Sequence, residues 1–530
     1  MSEGNAPLDN LPALGRHAAA AWPDRTALVF DETGETLTFA EIDARSDRIA
    51  AALAMRGVGP GDRVAVMLPN CPGFPLAWLG IAKAGATMVA VNVFYKTADA
   101  GYLLSHSGAR LVITSDAFVD LLAAVAAAAD APFDILSVDG DGGGREQALA
   151  ELAAAAPAAP EVDVGPGALA NIQYTSGTTG QPKGVMQSHG MWGDFACRIA
   201  TLHDGLSADD ILLTAQPFHY MDPQWNLATV LLTGARLIVL DRFHPSTFWD
   251  RVRAHRVTWF YCLGVMPKLL LKQPSGPDDR DHDVRRVLCS AIPAADHAAI
   301  EARWGVPWFE GFGMTETGVD IVVPLDEHDI CVGSGCIGRP VPGREACILD
   351  ADGAPLPAGE VGELALRGPG MMDGYYRNPD ATAAAFRGGW LHTGDLARID
   401  ADGRIFFVGR DKDMIRRSGE NIAAAEVEAV IAQHDAVRLA ACVAVADDIR
   451  GEEVKAYVVL QPGHGPDDTP PADLAAFCAD RLAYFKVPRY WTYRADLPRT
   501  PSERVIKGAL EDDRDAAGAP TWDRTDDAWH

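Results

Sequence analysis

Six short runs of apolar, β-branched or aromatic residues punctuate the first half of the chain. They are RVAVMLP (63–69), TMVAVN (87–92), RLVITS (110–115), DILLTA (210–215), RLIVL (236–240) and TWFYCL (258–263). Each has the length of a strand. Between several of them lie stretches with helical spacing, such as PSTFWDRVRAHR (245–256). Strands of this kind alternating with helices predict an α/β fold of layered, mostly parallel sheets. The Ala-rich stretch 121–160 reads as a pair of surface helices around a Pro-broken linker.

The character of the chain changes twice. IGRPVPGREACILDADGAPLPAGEVGELALRG (337–368) is dense in Gly and Pro and predicts a β-rich subdomain with hairpin turns. After GRIFFVGRDKDMI (403–415), the runs EVEAVIAQH, ACVAVAD, EVKAYVVL and ADLAAFCADRLAYF read as helix, strand, strand, helix. The expected division is a large N-terminal domain over 1–410, a small α+β domain over 411–515 and an acidic tail over 516–530. The last twenty residues, EDDRDAAGAPTWDRTDDAWH, are poor in aliphatics and read as frayed.

Charge and cysteine content narrow the function. Forty-six basic against seventy-three acidic residues give a net charge of −27, which repels nucleic acid and anionic lipid surfaces. Nine cysteines are scattered without a CxxC pair or a zinc-type cluster, so reduced thiols and a cytoplasmic setting are expected. The N-terminal residues lack the pattern of a secretory signal, and LLAAVAAAA (121–129) is too short to span a bilayer. The expected partner is a small molecule, with neither nucleic acid nor membrane; a homodimer is left open.

The strongest local signal is YTSGTTGQPKG (174–184), which follows the strand-like LANIQ. Its glycines free the backbone to turn N–H groups toward an anion, and such a nest binds phosphate. Thr175, Ser176, Thr178 and Thr179 add hydroxyls around Gly177 and Gly180, and Lys183 adds a point charge. It is not a Walker loop, because no Gly-Lys-Ser/Thr ending leads into a helix. A flexible polar turn is the bland alternative.

This loop resembles the phosphate-binding signature of the adenylate-forming (AMP-binding) superfamily, which includes acyl-CoA synthetases, peptide-synthetase adenylation domains and luciferases. GFGMTET (311–317), WLHTGD (390–395) and GRDKDMIRRSGENIAAAEVE (409–428) resemble three further family motifs, in order and spacing. The resemblance runs from about residue 20 to 510. FHPSTFWDRVRAHRVT and FKVP (485–488) are most similar to the carnitine/crotonobetaine-CoA ligase branch.

The resemblance implies ATP and Mg²⁺ as cofactors, and CoA if the chain is a ligase. It implies that Thr315 and Glu316 hold the AMP phosphate, with Thr175 and Glu316 on Mg²⁺, a hard cation suited to oxygen ligands. Phe312 and Gly313 would border adenine beside Ser290 and Ala291 of CSAIP (289–293). Asp395 would accept from the ribose, backed by Arg410. Lys412 would fall at a hinge on which the small domain swings, and Gly419 would line the path of a pantetheine arm. His219 of PFHYMDPQWN (217–226) would lie near the substrate carboxylate; a histidine packed under a loop is an equal reading. If Asp222, Gln224, Trp225 and Asn226 line the pocket, the acid is polar or aromatic rather than a long alkyl chain.

The closing motif departs from the family. Pro498, Arg499 and Thr500 match, but Glu503 replaces a glycine and Arg504 the usual catalytic lysine; Lys507 comes three residues late. Arginine keeps the charge yet is planar and bulkier, so the exchange is not conservative. Three readings follow: an AMP-forming acid–CoA ligase, with Arg504 or Lys507 substituting; a diazotase of secondary metabolism, such as antibiotic biosynthesis, that activates nitrite with ATP and diazotises an aryl amine; and a non-catalytic adenylate-binding protein.

Overall fold

The computed structural model describes residues 9–129, 132–139, 147–149, 153–154, 156, 159, 161–175, 182–263, 266–410, 413–417, 420–447, 450–482, 484–499, 505–512 and 520–530. All six apolar runs form strands, and they divide between two large sheets. In one, Arg63–Met67, Thr87–Ala90, Leu111–Thr114 and Leu169–Thr175 pair in parallel. In the other, Ile211–Thr214, Arg236–Val239, Trp259–Leu263, Arg286–Ser290 and Trp308–Met314 do the same. The architecture is therefore α/β with largely parallel central strands.

The second sheet changes sense at Trp308–Met314. From there Gly318–Val322, Cys336–Pro340, Ile405–Arg410, Trp390–Ile399, Gly362–Arg367 and Glu345–Leu349 follow in antiparallel order. This is the Gly/Pro-rich β-subdomain. It is continuous with the parallel sheet, so residues near 311–317 stand at the seam between two strand regimes.

Two readings need correction. Between the helix Asp116–Ala128 and the helical residues Leu149, Ala153 and Ala154, the Ala-rich region carries the parallel strand Asp134–Ser137 rather than a bare linker. DILS packs Leu136 into the main core and pairs on both sides, with Leu111–Thr114 and Gln147–Ala148, and this burial outweighs the helix propensity of the alanines around it. The C-terminal residues do not fray. Thr521–Asp523 pairs antiparallel with Tyr490–Tyr493, and Ala528–Trp529 pairs with it in turn. Trp522 is buried opposite Trp491, and Asp523 binds Arg489 at 2.9 Å. One buried tryptophan and one ion pair offset the acidity that surrounds them.

These strands complete a third, smaller sheet with Met414–Arg417, Glu420–Ala423, Val437–Asp447 and Gly451–Leu460. Across to the large part, Lys268 Nζ donates to the Ala432 carbonyl at 3.0 Å, at the C-terminus of the helix Ala424–Ile431. Lys272 donates to the Val437 carbonyl at 3.4 Å. Both lysines are depressed below their ordinary pKa by burial. Among the described residues no helix is long and apolar enough to cross a membrane.

Candidate nucleotide and acid site

The glycine-rich segment joins two antiparallel strands, Leu169–Thr175 and Lys183–Ser188, with Thr175 opposite Lys183. Ser176, Gly177, Thr178, Thr179 and Gly180 lie outside the described residues. The hairpin base is held from the side: Tyr102 donates to the Pro182 carbonyl at 3.1 Å, and the Tyr174 hydroxyl lies 2.7 Å from His106 Nδ1. Gly184 serves packing rather than anion binding. A Cβ there would stand 2.7 Å from Ile172 Cγ2 and 3.2 Å from the Tyr174 ring.

Thr315 and Glu316 sit in the turn between Trp308–Met314 and Gly318–Val322. Gly313 permits the turn, since a Cβ would meet the Gly318 carbonyl oxygen at 2.1 Å. Three elements fix its backbone. Gln187 Nε2 donates to the Thr315 carbonyl at 2.9 Å, the Met372 N–H to the Glu316 carbonyl at 2.8 Å, and Arg344 Nη2 to the Thr317 carbonyl at 2.9 Å. Arg344 is itself paired with fully buried Asp320 at 2.7 Å, and Thr317 donates to that carboxylate. The Glu316 carboxylate is buried and accepts from the Tyr375 hydroxyl at 2.9 Å. The Lys183 ammonium lies 5.0 Å above the centroid of the same Tyr375 ring. Lys183 and Glu316, distant in sequence, thus meet at one side chain.

On the expected adenine side, the strand Arg286–Ser290 ends beside Trp308–Met314. Ser290 Oγ accepts from Tyr261 at 2.9 Å and donates to the Gly311 carbonyl at 2.6 Å. Ala291 has φ +72°, a left-handed conformation unusual for a residue with a Cβ. Its N–H and that of Ile292 donate to the two carboxylate oxygens of Glu310 at 2.6 and 2.7 Å. Burial pushes the Glu310 carboxyl up to about 8, against the opposing pull of these two amides. Glu310 was missed in the sequence, where it reads as one more acid before GFGMTET. Phe312 is half-buried against the Ile321–Leu364 core of the β-subdomain.

Asp395 is buried in the strand Trp390–Ile399, directly opposite Arg410 in Ile405–Arg410. Its N–H donates to Thr393 Oγ1 at 3.0 Å, and Thr393 donates to the Leu364 carbonyl at 2.6 Å. Asp395 and Arg410 are backbone partners across this ladder.

The PFHYMDPQWN segment is mostly framework. Gln224 donates to the Phe218 carbonyl and accepts from Asn171, both at 2.8 Å, so both ends of its amide are occupied. Asn226 donates to the Asp222 carbonyl at 2.7 Å. Trp225 is buried edge-on to Tyr261 at 5.4 Å and Trp259 at 5.8 Å, which makes it a wall behind the Tyr261–Ser290 pair. His219 is 3% exposed, and among the described residues neither ring nitrogen has a hydrogen-bond partner. Its carbonyl accepts from Gln173 at 2.5 Å. Burial lowers its pKa to about 3, so the imidazole is neutral at physiological pH.

At the ends of the closing motif, Arg499 and Val505 form an isolated antiparallel bridge. Arg504, Thr500 and Glu503 lie outside the described residues, as do Lys412 and Gly419. Lys507 is committed elsewhere: its ammonium binds Glu428 at 2.7 Å and reaches Asp413 at 3.7 Å. Burial opposes its charge, but the two acids outweigh burial and hold its pKa above the ordinary value.

Comparison with known proteins agrees with this geometry. The AMP-binding enzyme family model matches residues 15–376, and the AMP-binding enzyme C-terminal domain model matches residues 426–504. The crotonobetaine/carnitine–CoA ligase of Salmonella paratyphi B is 34% identical over 523 residues, covering 95% of this chain and 99% of the relative. The ATP-bound structure of MatB from Rhodopseudomonas palustris superposes with a TM-score of 0.84 at 28% identity, covering 96% of this chain and 100% of that one. A benzoate CoA ligase from Burkholderia xenovorans LB400 gives 0.84 at 30% identity, covering 94% and 99%.

Proposed function

The chain belongs to the AMP-binding enzyme family, and we propose that within it the protein is an ATP- and Mg²⁺-dependent, AMP-forming ligase that joins a small acid to CoA. The observation that carries this reading is the meeting of Lys183 and Glu316 at Tyr375. It places a cation from the end of the glycine-rich segment over the face of one ring and a buried carboxylate at that ring's hydroxyl. A polyphosphate needs both: positive charge against its oxygens, and an anionic ligand for the accompanying metal.

The substrate carboxylate would attack the α-phosphorus of ATP and expel pyrophosphate; CoA thiol would then displace AMP from the acyl adenylate. Such a reaction needs positioning and charge stabilisation more than covalent participation by the protein. Thr175, Lys183 and Thr315 would hold phosphate oxygens. The oxygen donors of Thr175 and Glu316 fit Mg²⁺, which supplies charge neutralisation when bound. Phe312, Gly313, Ser290 and Ala291 would frame the adenine, and Asp395 with Arg410 the ribose. Neutral His219 would offer the carboxylate a hydrogen bond rather than a charge. The relatives named for crotonobetaine, carnitine and benzoate favour a small acid, and the Trp225 wall behind Tyr261 supports a short pocket.

The crotonobetaine/carnitine–CoA ligase and the benzoate CoA ligase described above lend no support to nitrite activation, which is not carried further. The deciding measurement is AMP and pyrophosphate release from purified protein with ATP, Mg²⁺ and a panel of small polar and aromatic acids, with and without CoA. Acid-dependent release followed by CoA-dependent thioester supports the reading. Tight ATP binding without turnover on any acid would sink it.

A further inference from the structure

We infer that Tyr375 is a positioning residue for the divalent cation, orienting the Glu316 carboxylate through its hydroxyl while its ring supports Lys183. This rests on the reading of Glu316 as a Mg²⁺ ligand.

Tyr375 is built to hold its place. Its backbone pairs with Val185 on the strand that begins at Lys183. Its N–H donates to Thr382 Oγ1 at 2.8 Å, and Thr382 is anchored in turn to the Asn378 carbonyl at 3.0 Å. The segment around it touches Glu316 twice: Met372 N–H binds the backbone carbonyl, and the Tyr375 hydroxyl binds Oε1. A carboxylate fixed at its main chain and at one oxygen cannot rotate freely, so the direction of the carboxylate is set. A carboxylate oxygen only accepts, so the Tyr375 hydroxyl is the donor in this bond. Residues that hydrogen-bond a metal ligand govern its orientation, and their loss typically weakens metal binding by about ten- to a hundredfold.

The ring has a separate role. With Lys183 at 5.0 Å from its centroid, it is a cation–π platform that phenylalanine would preserve. The two functions can therefore be divided by substitution.

The test titrates Mn²⁺ into protein saturated with a non-hydrolysable ATP analogue, reading free Mn²⁺ by electron paramagnetic resonance, and separately measures analogue affinity in excess EDTA. Tyr375→Phe should weaken Mn²⁺ binding by about ten- to a hundredfold with unchanged analogue affinity in EDTA and an unchanged melting temperature. Tyr375→Leu should lose the platform as well and weaken analogue binding in EDTA. Wild-type Mn²⁺ affinity in Tyr375→Phe would overturn the proposal, as would an equal loss of analogue affinity in EDTA. Glu316→Gln separates the two levels of inference. If it retains Mn²⁺ affinity, the metal-ligand reading fails and takes the Tyr375 role with it; if it loses that affinity and Tyr375→Phe does not, the positioning role alone fails.

Discussion

Glu310 and Ala291 are joined by a 2.6 Å hydrogen bond at a point where the backbone turns left-handed. The same carboxylate takes the next N–H, from Ile292, at 2.7 Å. The left-handed conformation costs a residue with a Cβ about 1–2 kcal/mol, and the carboxylate offsets it. Glu310→Gln should therefore destabilise the fold by about 1–3 kcal/mol, because one buried amide donor would face an NH₂ group, and should raise KM for ATP. Ala291→Gly should change stability by no more than about 1 kcal/mol. The double variant should fall short of additivity, since glycine adopts the turn without help. Urea unfolding of the four proteins checks this; strict additivity would show that the two residues do not share the strain.

Glu316→Gln should abolish AMP formation while leaving the melting temperature within a degree or two. The carboxamide can still accept from Tyr375, so local packing survives, but the ligand charge is gone. Pyrophosphate release at the wild-type rate would count against any metal role for this residue.

His219 and His189 make acid stability testable. Burial lowers their pKa values to about 3 and about 4. The unfolded chain takes up protons at these histidines below about 6.5, whereas the folded chain resists until far lower pH. Stability is therefore flat with respect to these groups above about 6.5 and falls as pH drops from there toward 3–4. Each contributes up to about 1.4 kcal/mol per pH unit. His219→Phe should lose less stability than wild type between pH 6.5 and 5 in urea titrations; identical slopes would mean that the ring is not buried neutral.

The sequence made the architecture legible because strand-length apolar runs alternate with helices, and all six runs became strands. It also pointed to Lys183, Glu316 and Asp395, because each sits in a motif whose chemistry is readable. What it hid was partnership. Tyr375 and Glu310 carry no signal of their own, since their roles exist only where strands distant in sequence come together. Gln224 and Asn226 misled for a related reason: polar side chains beside a candidate pocket look like ligands until their amide partners are known. The TW pair in the tail was masked by acids on both sides, which local composition weighs more heavily than one buried tryptophan.

Trp522 gives that last point a test. Its side chain packs in the core of the small sheet opposite Trp491. Trp522→Ala should cost about 3–5 kcal/mol in the unfolding of the small domain, followed by intrinsic fluorescence. A frayed tail would tolerate the same change with no shift.

Lys507 and Arg504 are the two candidates to replace the family lysine, and the two readings predict different phenotypes. Lys507 is tied to Glu428 at 2.7 Å and stands near Asp413, beside the junction between the domains. Removing one partner of a buried pair leaves the other charge uncompensated, at a cost of about 3 kcal/mol. Lys507→Met should therefore lower stability first, and Glu428→Gln in the same chain should restore part of it. Arg504, four residues past Thr500 in the sequence, stands where the family motif has its lysine. Arg504→Ala should slow acyl-adenylate formation by a hundredfold or more without a change in melting temperature, while Arg504→Lys should retain substantial adenylation. Single-turnover pyrophosphate release separates the two cases. If Lys507→Met abolished adenylation at full stability while Arg504→Ala did not, the charge would have moved along the chain, and the late lysine would be the one that reaches the nucleotide.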